Sequence, residues 1–149
     1  MIGYRIDQIK GLFFDSAKVQ AATSRAERSV LSRFGAFVRT RARTSIRKRK
    51  KPSEPGQPPS SHTGILKRFI FFAYEPQRRS VVIGPARLNQ KIGDAPAALE
   101  HGGRSQVVSG SRRRKRQVRT VTIRPRPFMG PAFEAERPKL PAMWANSVK

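Results

Sequence analysis

Between Asp15 and Ile46 the apolar residues Val19, Ala22, Ala26, Val30, Phe34, Phe37, Val38, Ala42 and Ile46 recur at spacings of three and four. That period puts one apolar stripe on a long helix, and Asp15 stands where an N-cap is expected. The remaining faces carry Lys18, Arg25, Arg28, Arg33, Arg39, Arg41, Arg43 and Arg47, with no acidic residue between Glu27 and Glu54. One side of the helix must pack on something, and the rest repels cations.

Charge is the second constraint. Thirty-two Lys and Arg stand against nine Asp and Glu, a formal net charge of +23 on 149 residues. A compact monomer so charged repels itself, which calls for a polyanion or an acidic protein surface nearby. Hydrophobic residues make up 37% of the chain, enough for one modest core, so a single domain over 1–149 is expected. There is no cysteine, hence no disulfide framework and no thiolate zinc site. No apolar run approaches the roughly 18 residues of a membrane span, and the N-terminus lacks a charged-then-apolar signal pattern. A soluble protein that stays where it is made is the expectation.

The rest of the chain reads as short elements and long connections. Alternation at Ile2, Tyr4 and Ile6 suits a short strand within residues 1–14. Residues 48–62 hold four prolines and a glycine, which predicts a basic, Pro-rich linker or extended arm. The aromatic and aliphatic run Ile65–Tyr74 and the run Ser80–Gly84, across a polar break, read as a β-hairpin. In Gln117–Ile123, Thr120 and Thr122 face opposite to Val121 and Ile123, which predicts a further strand. Residues 85–116 read as a long irregular segment, its stretch 104–116 a basic loop. From Pro131 onward, helical turns interrupted by Pro138 and Pro141 predict a broken terminal helix. The fold class is therefore α+β: one long N-terminal helix on a small, mostly antiparallel sheet, with long basic or Pro-rich loops and a short broken C-terminal helix.

Candidate sites are few. His62 and His101 sit in separate loops without an acidic cluster, so turn or packing roles are expected rather than a metal site. The nine carboxylates are scattered and no nucleophile motif occurs, so neither an enzyme nor a cofactor is expected. Gly102-Gly103 lacks the strand–loop–helix context of a phosphate loop and reads as a turn with positive backbone angles. Two basic runs, Arg47, Lys48, Arg49, Lys50, Lys51 and Arg112, Arg113, Arg114, Lys115, Arg116, have three readings: solvated arms, contacts to DNA phosphates, or contacts to acidic neighbours in an assembly. The aromatics lie in strand-like runs and not as interleaved stacking platforms, which argues against sequence-specific recognition. Phe128, Pro131, Phe133 and Trp144 are candidate anchors of the terminal segment, on a neighbouring subunit or on the core.

The motifs have an order. A long helix is followed by Pro58-Pro59-Ser60-Ser61-His62-Thr63-Gly64-Ile65-Leu66-Lys67, then Val81-Val82-Ile83-Gly84-Pro85, then Pro96-Ala97-Ala98-Leu99-Glu100-His101-Gly102-Gly103, and then Arg126-Pro127-Phe128-Met129-Gly130-Pro131-Ala132-Phe133. Spanning most of the chain, this order resembles the minor tail protein Z and tail-completion family of tailed bacteriophages. The chain departs from that pattern in its basicity, above all around Arg112–Arg116. The resemblance implies a structural virion protein made in the bacterial host cytoplasm and located at the head-to-tail joint. It implies a ring of six-fold or twelve-fold symmetry whose partners are further copies of itself, the portal or connector, tail terminator or tail tube proteins, and packaged double-stranded DNA. The alternative class is a non-specific nucleic-acid-binding protein.

Overall fold

The computed structural model describes residues 15–86, 95–109 and 117–148, excluding the side chains of 107–109. The short strand expected within residues 1–14 lies outside them. The protein is α+β: a long N-terminal helix packs against small antiparallel sheets and a short C-terminal helix.

Helix α1 spans Ser16–Ser45, and the Asp15 carboxylate accepts a hydrogen bond from the Lys18 amide at 3.1 Å, as an N-cap should. The expected stripe is the buried one from Ala26 onward: Ala26, Val30, Phe34, Val38, Ala42 and Ile46 are buried, while Val19 and Phe37 at its margins remain 39% exposed. Strands β1 (Ile70–Glu75) and β2 (Ser80–Pro85) pair antiparallel, with Phe72 opposite Ile83 and Tyr74 opposite Val81. They lie on α1 where Gly35 leaves room: a β-carbon there would stand 2.8 Å from Val81 Cγ2 and 3.0 Å from the Phe72 ring. Arg39 donates to the Ile70 carbonyl at 2.9 Å, and Glu27 faces Arg79 at the hairpin turn, so helix and hairpin run side by side.

The strand expected from Ile65 starts later. Ile65–Arg68 is a single helical turn, α2. Gly64 adopts φ 76°, where L-residues are strained, and its amide is held by the Ser61 hydroxyl at 2.8 Å. That reversal coils the chain for one turn before it extends.

A second correction concerns the sheet. The strand expected at 117–123, β4 (Gln117–Ile123), does not join the first hairpin. It pairs antiparallel with β3 (Gly103–Ser109), which lies in the segment expected to be irregular, so two two-stranded sheets replace one. The same segment contains helix α3 (Ala95–His101). Gly102 and Gly103, at φ 78° and 130°, provide the positive backbone angles that turn α3 into β3. Residues 110–116 lie outside the described residues.

The C-terminal part is broken as expected: α4 (Met129–Glu136), a 3-10 turn (Arg137–Lys139) and α5 (Leu140–Trp144), with Pro138 and Pro141 at the joints. α4 closes the core from the other side of α1. Phe34, Val38, Ala42, Ile46, Ile70, Phe128 and Ala132 form one buried cluster. A buried ion group fastens this closure: Glu136, 3% exposed, pairs with Arg41 of α1 and with Lys139 at 2.7 Å.

Candidate functional site

The segment expected to be an extended arm is a compact loop. Lys48 and Ser61 form a bridge between its ends, and the Ser61 amide donates to the Arg47 carbonyl at 3.0 Å. Its tip is held as well. The Gly56 amide donates to Pro125 O at 2.9 Å, and Arg126 Nε donates to Ser53 O at 2.9 Å. Proline content blocks helix and ladder, yet it lowers the entropy lost on ordering, and backbone bonds to a neighbouring segment supply what regular structure cannot. Ser53 and Pro59 are buried in consequence.

This loop meets two of the motifs singled out in the sequence. The Arg126 amide donates to the Leu99 carbonyl at 2.6 Å. Glu100 then reaches the start of α4, where its carboxylate accepts from the amides of Phe128, Met129 and Gly130 at 2.9, 3.0 and 2.7 Å. The first amides of a helix have no partner within it, and a carboxylate there gains both hydrogen bonds and the favourable end of the helix dipole. Glu100 thus caps from another element, a role that local spacing cannot reveal. Its signal in the sequence was indirect: Leu99-Glu100 and Arg126–Gly130 both belong to the ordered motifs. Where the three segments converge lies a concavity of about 370 Å³, walled by Pro52, Ser53, Pro59, His62, Leu99 and Arg126 among others. The hydroxyls of Ser53 and Ser60 in its wall are buried without a partner in the chain.

The basic run Arg47, Lys48, Arg49, Lys50 and Lys51 emerges from the end of α1 into this loop, and all five residues are exposed. Arg112, Arg113, Arg114, Lys115 and Arg116 lie outside the described residues. In sequence they fall between β3 and β4. Among the described carboxylates, internal partners are the rule. Asp15 pairs with Lys18, Glu27 with Arg79, Glu75 with Arg78, Glu134 with Arg137 and Glu136 with Arg41 and Lys139, while Glu100 caps α4. The few acids are spent within the chain, and the cationic surplus is left to face outward. The Lys139 ammonium, and after it the Arg41 guanidinium, hold the Glu136 carboxyl below the usual glutamate range, against a smaller opposing effect of burial.

The candidate anchors divide. Phe128 is 1% exposed and belongs to the core. Phe133 meets Phe34 edge to face at 5.7 Å but stays 40% exposed, Trp144 is 38% exposed, and Pro131 is exposed. His62 and His101 are both exposed, and no group of three or more His, Cys, Asp or Glu among the described residues could hold a metal ion. No helix among the described residues is long and apolar enough to cross a membrane. Compared with known protein families, curated proteins and solved structures, the chain matches none.

Proposed function

We propose that this protein is a structural component of the head-to-tail neck of a tailed bacteriophage or prophage particle, forming a ring that joins or completes the tail around the DNA passage. The observation that carries the reading is the ordered set of motifs. In support of it, the Pro-rich loop, Leu99-Glu100 and Arg126–Gly130 converge on one small body through Arg126 and Glu100. A ring subunit needs two different complementary patches, because a closed ring is built from heterologous contacts. The exposed basic strip 47–51 supplies one that suits packaged DNA or an acidic neighbour, and the exposed Phe133 and Trp144 suit a second. The reading assigns no catalysis and no cofactor. Deleting the gene and counting particles by negative-stain electron microscopy tests it: DNA-filled heads beside unattached tails are expected, and intact virions at normal yield would overturn it.

The charge distribution favours one other reading, a non-specific nucleic-acid-binding protein, since the outward cations would serve any duplex. Both readings expect binding to random DNA that weakens steeply with salt. Co-sedimentation with purified particles separates them, because only the neck protein remains with virions at high salt.

A further inference from the structure

The outer face of the β1–β2 hairpin is apolar and bare. Pairing fixes which residues share it: Phe71 lies opposite Gly84 and Ala73 opposite Val82, on the side away from Phe72, Ile83 and α1. Phe71 is 49% exposed and Val82 60%. Phe69 joins them, its ring edge to face with Phe71 at 6.2 Å and itself 38% exposed. Nothing stands within 4 Å of where a β-carbon of Gly84 would be, so a shallow hollow lies beside Phe71. A two-stranded sheet is only marginally stable by itself, and an apolar face on one gains from a cover.

One segment of the same chain has the composition and the reach. Residues 1–14 carry Ile2, Tyr4, Ile6, Ile9, Leu12, Phe13 and Phe14 and lead directly into Asp15. The pairing of Glu27 with Arg79 puts the hairpin turn beside the third turn of α1, so the twelve residues from Asp15 to Glu27 carry the helix start roughly 18 Å beyond that turn. Six extended residues return that distance at about 3.3 Å each, and the remaining eight span roughly 26 Å against the roughly 20 Å of a six-residue strand. The period-two spacing of Ile2, Tyr4 and Ile6 then presents three apolar side chains to one side. A tether this short keeps the local concentration of the segment far above that of a second copy, which also brings its own +23 charge. We infer that residues 1–14 lie along the outer face of the β1–β2 hairpin of their own chain, with Ile2, Tyr4 and Ile6 covering Phe71 and Val82.

The absence of native cysteine makes the test clean. Val82→Cys and Val118→Cys are compared in full-length protein, since both valines are 60% exposed in the described structure. Maleimide labelling of the first is expected to be at least about tenfold slower than of the second, each rate normalised to that in denaturant, and independent of protein dilution. Combining Val82→Cys in turn with Ile2→Cys, Tyr4→Cys and Ile6→Cys, a short bis-maleimide is expected to give a within-chain crosslink for at least one pair. Ala73→Cys with Val82→Cys, direct partners across the hairpin, is the positive control. Equal labelling rates, protection that vanishes on dilution, or crosslinks found only between chains would each overturn the inference. So would the absence of any crosslink while the control closes.

Discussion

The two hairpins are built alike and differ in what stands behind them. In β1–β2, Phe72 and Val81 press on α1 at Gly35, and Ile70 is fully buried. In β3–β4, every described residue from Gln117 to Thr122 is exposed, and Ser105 is buried only where β3 meets α3. Both have complete antiparallel pairing, so backbone hydrogen bonds do not distinguish them. Burial does: net hydrogen-bond gains are small in water, whereas each apolar side chain removed from water contributes about 1.5–3 kcal/mol. The first hairpin is part of the core. The second is a ribbon standing off the body, in a stretch from His101 to Phe133 without a single acidic residue. Such a ribbon is well placed to meet an anionic neighbour and contributes little to the stability of its own chain.

That contrast can be broken by mutation. The largest effect is expected for Phe128→Ala, which empties the centre of the shared cluster and should cost about 3–5 kcal/mol in urea unfolding. If the loss is no larger than for an exposed residue, the core has been misplaced. Glu100→Ala strands three amides at the start of α4 and should cost about 1–2 kcal/mol, with Glu100→Gln recovering part of it. Gly35→Ala sharpens the point about the first hairpin. The helix gains about 1 kcal/mol from alanine, but crowding against Val81 and Phe72 should cost about 1–3 kcal/mol, leaving a net loss near 1 kcal/mol.

Acid tests the clamp between α1 and α4. Because the folded Glu136 carboxyl is held below its ordinary value of 4.5, its contribution is fully present above that value and is lost as pH falls through the lowered one. Thermal melts of wild type and Glu136→Gln should therefore differ at pH 7 and converge in strong acid. A gap that stays constant with pH would show that the carboxylate charge is not what matters. The smallest effect belongs to the second hairpin. Val118→Ala should change stability by less than about 0.5 kcal/mol, and amides of β4 should exchange with solvent well before those of β1. Equal protection of the two ribbons would erase the comparison.

Features set by contacts within a few residues were legible beforehand. The Asp15 cap, the buried part of the α1 stripe, the positive angles at Gly102 and Gly103 and the break of the terminal helix at Pro138 and Pro141 all follow from local chemistry. Features set by distant contacts were not. The Pro-rich stretch looked like an extended arm because it can form neither helix nor ladder, and only Pro125 and Arg126 fold it into a loop. β3 was missed because Gly103–Ser109 has little apolar alternation and owes its form to its partner β4. Of the candidate site, the exposed basic strip 47–51 was visible as charge, but not that Glu100, 28 residues from Phe128 in sequence, would organise the start of α4.

The sequence by itself determined the long amphipathic helix, the α+β class and the excess of positive charge, because period, turn chemistry and composition act over a few residues or over the whole chain at once. Tertiary structure decided which strands pair, which carboxylates are consumed and which apolar faces stay bare. Those outcomes depend on free energies between groups tens of residues apart, and no local pattern encodes which distant partner a backbone amide or a bare strand edge will find.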